Sequence, residues 1–215
     1  MTDNKKIARL AGIWYLAFIL LGGFSMLFVD DRLIIAGDAA ATLENCRANM
    51  ALFIFGVITY FAGYVCFLFV ANALGKLFKA TDGRLTLFMK ITVYAGVAVA
   101  LSCKAAQIIG VTTSSEALQT FYETGAAAAA LFWGLWLLPL GLLILKSNYI
   151  PQIIGILLLG ACVANLADFT IHFFIPNAPG AALNVCYTVG VLGELGLVLW
   201  LLIKGVKTET REGTK

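Results

Sequence analysis

Lys104, Asp168 and Glu194 each interrupt a long apolar run in this chain. An ionisable group in hydrocarbon is expensive unless it is paired or hydrated, so each of the three is a functional hypothesis by default. Helical spacing gives each of them company. Asn165, Asp168 and His172 are three and four residues apart and share one face. Lys104 shares a face with Gln107, and Tyr187 stands two turns from Glu194 with Gly190 between them. At ~1.5 Å of rise per residue, Lys104 sits about 9 Å to the external side of the middle of its run, Asp168 at nearly the same depth, and Glu194 close to the middle. The pattern describes a polar pocket that opens to the external side and narrows at Glu194. In that pocket Lys104 and Asp168 would orient a small amphipathic molecule or ion, and Glu194 would be a protonatable gate or counter-charge. Each feature also has a plainer reading. Lys104 with Asp168 can be an ion pair that fixes helix register and does no chemistry, and Glu194 can be a neutral acid bonded to a carbonyl or to Tyr187. His172 is either a headgroup-level surface residue or the proton-exchanging member of the pocket.

The elements that must position these groups follow from composition. Hydrophobic residues fill 61% of the 215 positions and charged residues 13%, against ~45–50% and ~25% in soluble domains. Near-continuous apolar runs alternate with short polar stretches, at the spacing a hydrocarbon layer of ~30 Å demands. The expected fold is all-α: a polytopic membrane protein with a bundle of six transmembrane helices at about 7–29, 49–74, 87–109, 125–145, 151–174 and 182–203. These make one domain over 1–205, and 206–215 form a disordered cytoplasmic tail. Asp82-Gly83 builds a turn, Pro151 begins the fifth span, and Pro139 should kink the fourth because it removes a backbone hydrogen bond. The stretch 30–47 is an acidic external connection with room for a short surface helix. Trp14, Trp133, Trp136, Trp200, Tyr15, Tyr122 and Tyr149 read as interfacial anchors or lipid-facing fillers.

Orientation follows from lysine and arginine. With the N-terminus inside, Lys5, Lys6, Arg9, Lys76, Lys79, Arg84, Lys90, Lys146, Lys204, Lys207, Arg211 and Lys215 collect on the cytoplasmic face, and only Arg32 and Arg47 face out. Both termini are therefore expected in the cytoplasm. The net charge of +3 reflects this bias toward anionic headgroups and implies no nucleic acid partner. Cys46, Cys66, Cys103, Cys162 and Cys186 are widely spaced and form no CxxC or CxxH pair, so they read as small apolar packers; a disulfide at Cys46 is the alternative. A lone histidine excludes a multi-histidine metal site, and no cofactor is expected. The first apolar run exceeds a secretory h-region and lacks a small-x-small cleavage site, which makes it a retained signal anchor.

The stretches 8–23 (ARLAGIWYLAFILLGG), 147–168 (SNYIPQIIGILLLGACVANLAD) and 193–205 (GELGLVLWLLIKG) resemble the bacterial six-helix membrane family known as domain of unknown function 4386. The resemblance spans almost the full chain and rests on the order of Pro151, Asp168, Glu194 and the closing Leu-Ile-Lys-Gly. It implies a multi-pass protein of a bacterial cytoplasmic (inner) membrane. It also implies that Asp168, Glu194 and a basic residue early in the third helix, here Lys90, are recurrent positions, and it supplies no activity. Three classes stay open. The leading one is binding or transport of a small amphipathic molecule or ion through the intramembrane pocket, with Lys104, Gln107, Asn165, Asp168, His172, Tyr187 and Glu194 as its ligand-binding or proton-linked residues. An intramembrane lipid-modifying enzyme would use Asp168 and His172 as acid and base, but the missing nucleophile counts against it. A non-catalytic membrane partner or assembly subunit would need only the glycine-rich sixth helix. Membrane lipids and a small amphipathic ligand are the partners to expect, and a homo-oligomer is compatible with the sequence.

Overall fold

The computed structural model describes residues 3–174 and 180–206, with side chains described except at 168, 172, 173 and 180–190. Helix α1 (Asp3–Phe24) runs without a break into a π-helical segment (Ser25–Asp30) and a last turn, α2 (Asp31–Leu33). There follow α3 (Ala39–Ala48), α4 (Met50–Phe78), α5 (Gly83–Thr113), α6 (Glu116–Leu135), α7 (Leu137–Ser147), α8 (Gln152–Phe174) and α9 (Gly180–Ile203). The stretches Asp3–Leu33, Met50–Phe78, Gly83–Thr113, Glu116–Ser147 and Gln152–Ile171 are long and apolar enough to cross a membrane, and α9 carries the further apolar stretch Val191–Ile203. The side-chain distribution agrees. Tyr60, Tyr64, Phe67, Ala71, Leu74 and Phe78 recur every three to four residues and bury one face of α4, while Ile54, Ile58, Val65 and Phe69 leave the other face apolar and exposed. Ile153, Ile156 and Val163 do the same on α8. A helix with an apolar face on the core and a second apolar face outside is built for lipid, since a water-facing surface that greasy would aggregate. The protein is an all-α, multi-helix membrane protein.

The helices close a ring in chain order. α1 packs on α4, α4 on α5, α5 on α6 and α7, those two on α8, α8 on α9, and α9 back on α1. The shared interior is filled by Tyr15, Phe67, Trp136, Leu140, Leu158 and Leu197 among others. Close approach needs a small residue at some crossings: a Cβ added at Gly193 would lie 3.2 Å from the carbonyl carbon of Leu157, whereas at Gly196 nothing stands within 4 Å. Four of the cysteines, Cys46, Cys66, Cys103 and Cys162, are buried free thiols.

Three local features position the polar groups. The rod made of α6 and α7 breaks at Trp136, three residues before Pro139. The proline has no N–H to offer the Leu135 carbonyl, so the α-helical ladder is interrupted at that level. At the start of α5, Asp82 is the N-cap: its carboxylate accepts from the N–H groups of Arg84 and Leu85, both at 3.1 Å, and takes the Lys146 ammonium at 2.8 Å. Those bonds hold the Asp82 carboxyl below its ordinary range, the Lys146 bond foremost. Finally, the chain beyond Val29 does not enter a loop directly, because the helix persists through the π segment to Leu33. A π turn carries more residues than an α turn, which rotates the side chains that follow it. Asp30 is thereby carried into the bundle instead of lying in the external connection.

Candidate functional site

The outer polar cluster is centred on Lys104, whose side chain is 1% exposed. Its ammonium donates to Asp30 Oδ1 at 3.1 Å, to Gln107 Oε1 at 2.9 Å and to the Tyr122 hydroxyl at 2.9 Å. An ammonium has three donors, so these three acceptors use it completely. Tyr122 in turn donates to Asp30 Oδ2 at 2.9 Å. The rings of Tyr60 and Tyr122 flank the same ammonium, with centroids at 4.7 and 4.5 Å, which adds cation–π attraction on two sides. One charge pair thus ties the π segment of α1 to α5 and α6 and is dressed by an aromatic from α4.

Helix α3 lies over this cluster as a lid. Its buried residues Leu43 and Cys46 pack on Val29, Leu33, Phe53 and Val111, the small apolar cluster next to Asp30. On one side Thr42 Oγ1 accepts from the N–H of Ile35 at 2.8 Å, and Asn45 Nδ2 donates to the Arg32 carbonyl at 3.0 Å. On the other, Arg47 Nε donates to the Val111 carbonyl and Nη2 to Ser114 Oγ, each at 2.7 Å. Val111 belongs to the last turn of α5, whose carbonyls have no partner within the helix and carry the negative end of its dipole, so a guanidinium fits there. Burial pushes the Cys46 thiol up to about 11, which leaves it unreactive under the closed lid.

The inner polar node is simpler. Tyr15, fully buried in the core, donates its hydroxyl to Glu194 Oε2 at 2.7 Å and so joins α1 to α9. Between the two nodes runs a continuous aromatic column: Tyr60 meets Tyr64 at 4.7 Å, Tyr64 meets Phe18 at 5.7 Å, Phe18 stacks on Phe67 at 4.5 Å, and Phe67 meets Tyr15 at 6.2 Å. Trp133 stacks on Tyr64 and Trp136 meets Phe67 edge-on, which thickens the wall.

A family model described as "Domain of unknown function (DUF4386)" matches residues 10–205, from α1 to the end of α9. The chain belongs to this family. No curated protein and no solved structure matches it. Within this DUF4386 chain the structure brings Lys104 and Gln107 together and places Glu194 on Tyr15. Asn165 is turned to its own helix, donating to the Ala161 carbonyl at 2.9 Å where α8 meets Gly134 of α6. Asp168, His172 and Tyr187 lie outside the residues whose side chains are described. Lys90 lies apart from both nodes: its ammonium stands 5.6 Å from the Tyr94 ring, and a Cβ on Gly75 would meet its stem. Among the described residues no group of His, Cys, Asp and Glu is placed to hold a metal ion.

Two expectations are corrected. Asp30, assigned from sequence to the external connection, is the carboxylate partner of Lys104, because the π segment extends the first helix past Val29. Tyr15, Tyr122 and Trp136, assigned to interfaces or lipid, are buried in the bundle, where the two tyrosine hydroxyls bond carboxylates. Spacing carried a signal for both tyrosines: Tyr15 continues the small-residue face of Ala8 and Ala11, and Tyr122 is one turn from the buried Gln119.

Proposed function

We propose that this protein is a carrier of the bacterial cytoplasmic membrane, with six spans and both termini inside, that binds and moves a small amphipathic molecule or ion through its helix ring. The observation that carries the reading is the pair of polar nodes at different depths inside one ring. In this reading the outer node, Asp30 with Lys104 under α3, is a closed external gate. The inner node, Glu194 with Tyr15, is the proton-linked site near the middle of the membrane, where a bare carboxylate is penalised most and protonation relieves it. Ser25 Oγ and Gln107 Nε2 support a path that can be wetted: both are buried without a hydrogen-bond partner among the described residues, Ser25 at the start of the π segment that ends in Asp30 and Gln107 beside Lys104 on α5. Counting α6 and α7 as one broken rod gives six spans. The orientation is supported by the basic end of the bundle, where Lys146 pairs with Asp82 and Lys5 approaches Gly205.

Glu194 is tested by difference infrared spectroscopy across about pH 5 to 9 on native protein and Glu194→Gln. A protonated-carboxyl band present in the native sample and missing from the variant is expected. If the native spectrum holds no such band, Glu194 is not a proton-linked site and the inner node is a hydrated vestibule. Orientation is tested by cysteines placed one at a time: Glu44→Cys should label from outside intact cells and Lys79→Cys only after the membrane is opened. The reverse pattern overturns the assignment. A second reading, a non-catalytic membrane subunit, is favoured by one observation: all three Lys104 donors are already filled by protein groups, as in a purely structural lock.

A further inference from the structure

The surroundings of the Lys104 ammonium have the chemistry of a binding site for a free amine. A carboxylate lies at 3.1 Å, two neutral oxygens at 2.9 Å, and two aromatic faces within 4.7 Å of the nitrogen. Carboxylate, hydroxyl and amide oxygens with ring faces on two sides recognise an ammonium head and nothing anionic. The onward surface is of the same kind, since the aromatic column presents π electrons from Tyr60 to Tyr15 and ends at a second carboxyl, Glu194.

We infer that the ligand class of this carrier is a primary alkylammonium ion, and that Lys104 is a tethered stand-in that fills the ammonium site of Asp30, Gln107, Tyr60 and Tyr122 until a free amine displaces it. The inference rests on the carrier reading above and narrows it to a cation. Displacing a tethered group requires a high local concentration, because a group on the same chain acts at an effective concentration of millimolar or more. A membrane supplies that for an amphipathic amine. Each buried methylene raises partitioning about fourfold, so an eight-carbon tail favours the bilayer by close to five orders of magnitude. The reading therefore selects an amine with an apolar tail over a small hydrophilic one.

The experiment has two arms. In the first, native protein in nanodiscs is titrated with octylammonium, octanol and octanoate while tyrosine and tryptophan fluorescence is read. A saturable change with octylammonium alone is expected, lost in Asp30→Asn. In the second, Lys104→Ala removes the lysine from Cγ outward, a fragment equal to propylammonium. Propylammonium should raise the thermal midpoint of this variant saturably and recover at least half of what the substitution lost, while sodium and propanol should not. If the variant reaches the membrane too poorly to measure, the first arm decides alone. Equal responses to octylammonium and octanol, or an octylammonium response that persists in Asp30→Asn, overturn the ammonium site. Rescue of Lys104→Ala without any native response makes the site an internal lock and also overturns the ligand class. The carrier reading fails separately, on the infrared test of Glu194.

Discussion

The Asp30–Lys104 pair should show a strong, asymmetric coupling. Lys104→Met removes the ammonium from Asp30, whose side chain is already 15% exposed in the native protein and keeps the Tyr122 hydroxyl as donor, so the carboxylate can hydrate. Asp30→Leu is harsher, because it strands an ammonium that is 1% exposed with only the oxygens of Gln107 and Tyr122. Removing one member of a buried pair costs ~3–5 kcal/mol, so Lys104→Met is expected near the lower end and Asp30→Leu near the upper. The double variant removes both charges and replaces them with apolar groups of similar bulk, so it should recover most of either loss and give a coupling of about 3 kcal/mol. Unfolding in mixed micelles titrated with a denaturing detergent, followed by tryptophan fluorescence, measures all four corners of the cycle. Losses that add within ~0.5 kcal/mol would mean that the two groups do not interact and would refute the lock.

Two further outcomes follow from other parts of the structure. Arg47→Ala removes both bonds that hold α3 to the end of α5, so the lid should open more often, and Cys46 should react with a maleimide about tenfold faster than in native protein, the factor for ~1.4 kcal/mol of lost closure; an unchanged rate would mean that Arg47 does not hold the lid. Asp82 has its carboxyl held below the ordinary 3.8 by Lys146, so its contribution is fully present above that value and is lost as pH falls through the lower folded-state value. Asp82→Asn keeps an N-cap and loses the charge. It should lower the thermal midpoint at neutral pH and remove the acid-side decline below about pH 4, and a decline identical to native would assign it to other groups.

The all-α, membrane-embedded character was legible in the apolar runs, because lipid imposes length and composition directly on sequence. Lys104 and Glu194 were legible as polar residues out of place. Their partners were not. Asp30 closes an apolar run and is followed by Asp31 and Arg32, which reads as the beginning of a loop. Nothing in the local pattern announces that Ser25–Asp30 winds as a π-helix. Tyr15 and Tyr122 were misplaced for a related reason: tyrosine suits both a membrane interface and a buried hydrogen bond, and only the partner helix decides between them. The lid was legible as a short helix but not as a cover, since the bonds of Arg47 to Val111 and Ser114 join segments more than 60 residues apart.

Both polar nodes hang from the first helix. Tyr15 bonds Glu194 on α9, and Asp30 bonds Lys104 on α5, so α1 with its π extension supplies a hydrogen-bonding side chain to each node. In an unbroken α-helix at ~100° per residue, the fifteen steps from Tyr15 to Asp30 would leave the two side chains about 60° apart in direction. The π segment alters that phase and lets one helix serve a partner on each side of it in the ring. A turn of α1 about its axis that withdrew Asp30 from Lys104 would also move Tyr15 against Glu194. Under the carrier proposal the outer and inner nodes must sense each other, and a rod bonded at both would couple them directly, alongside the aromatic column between them.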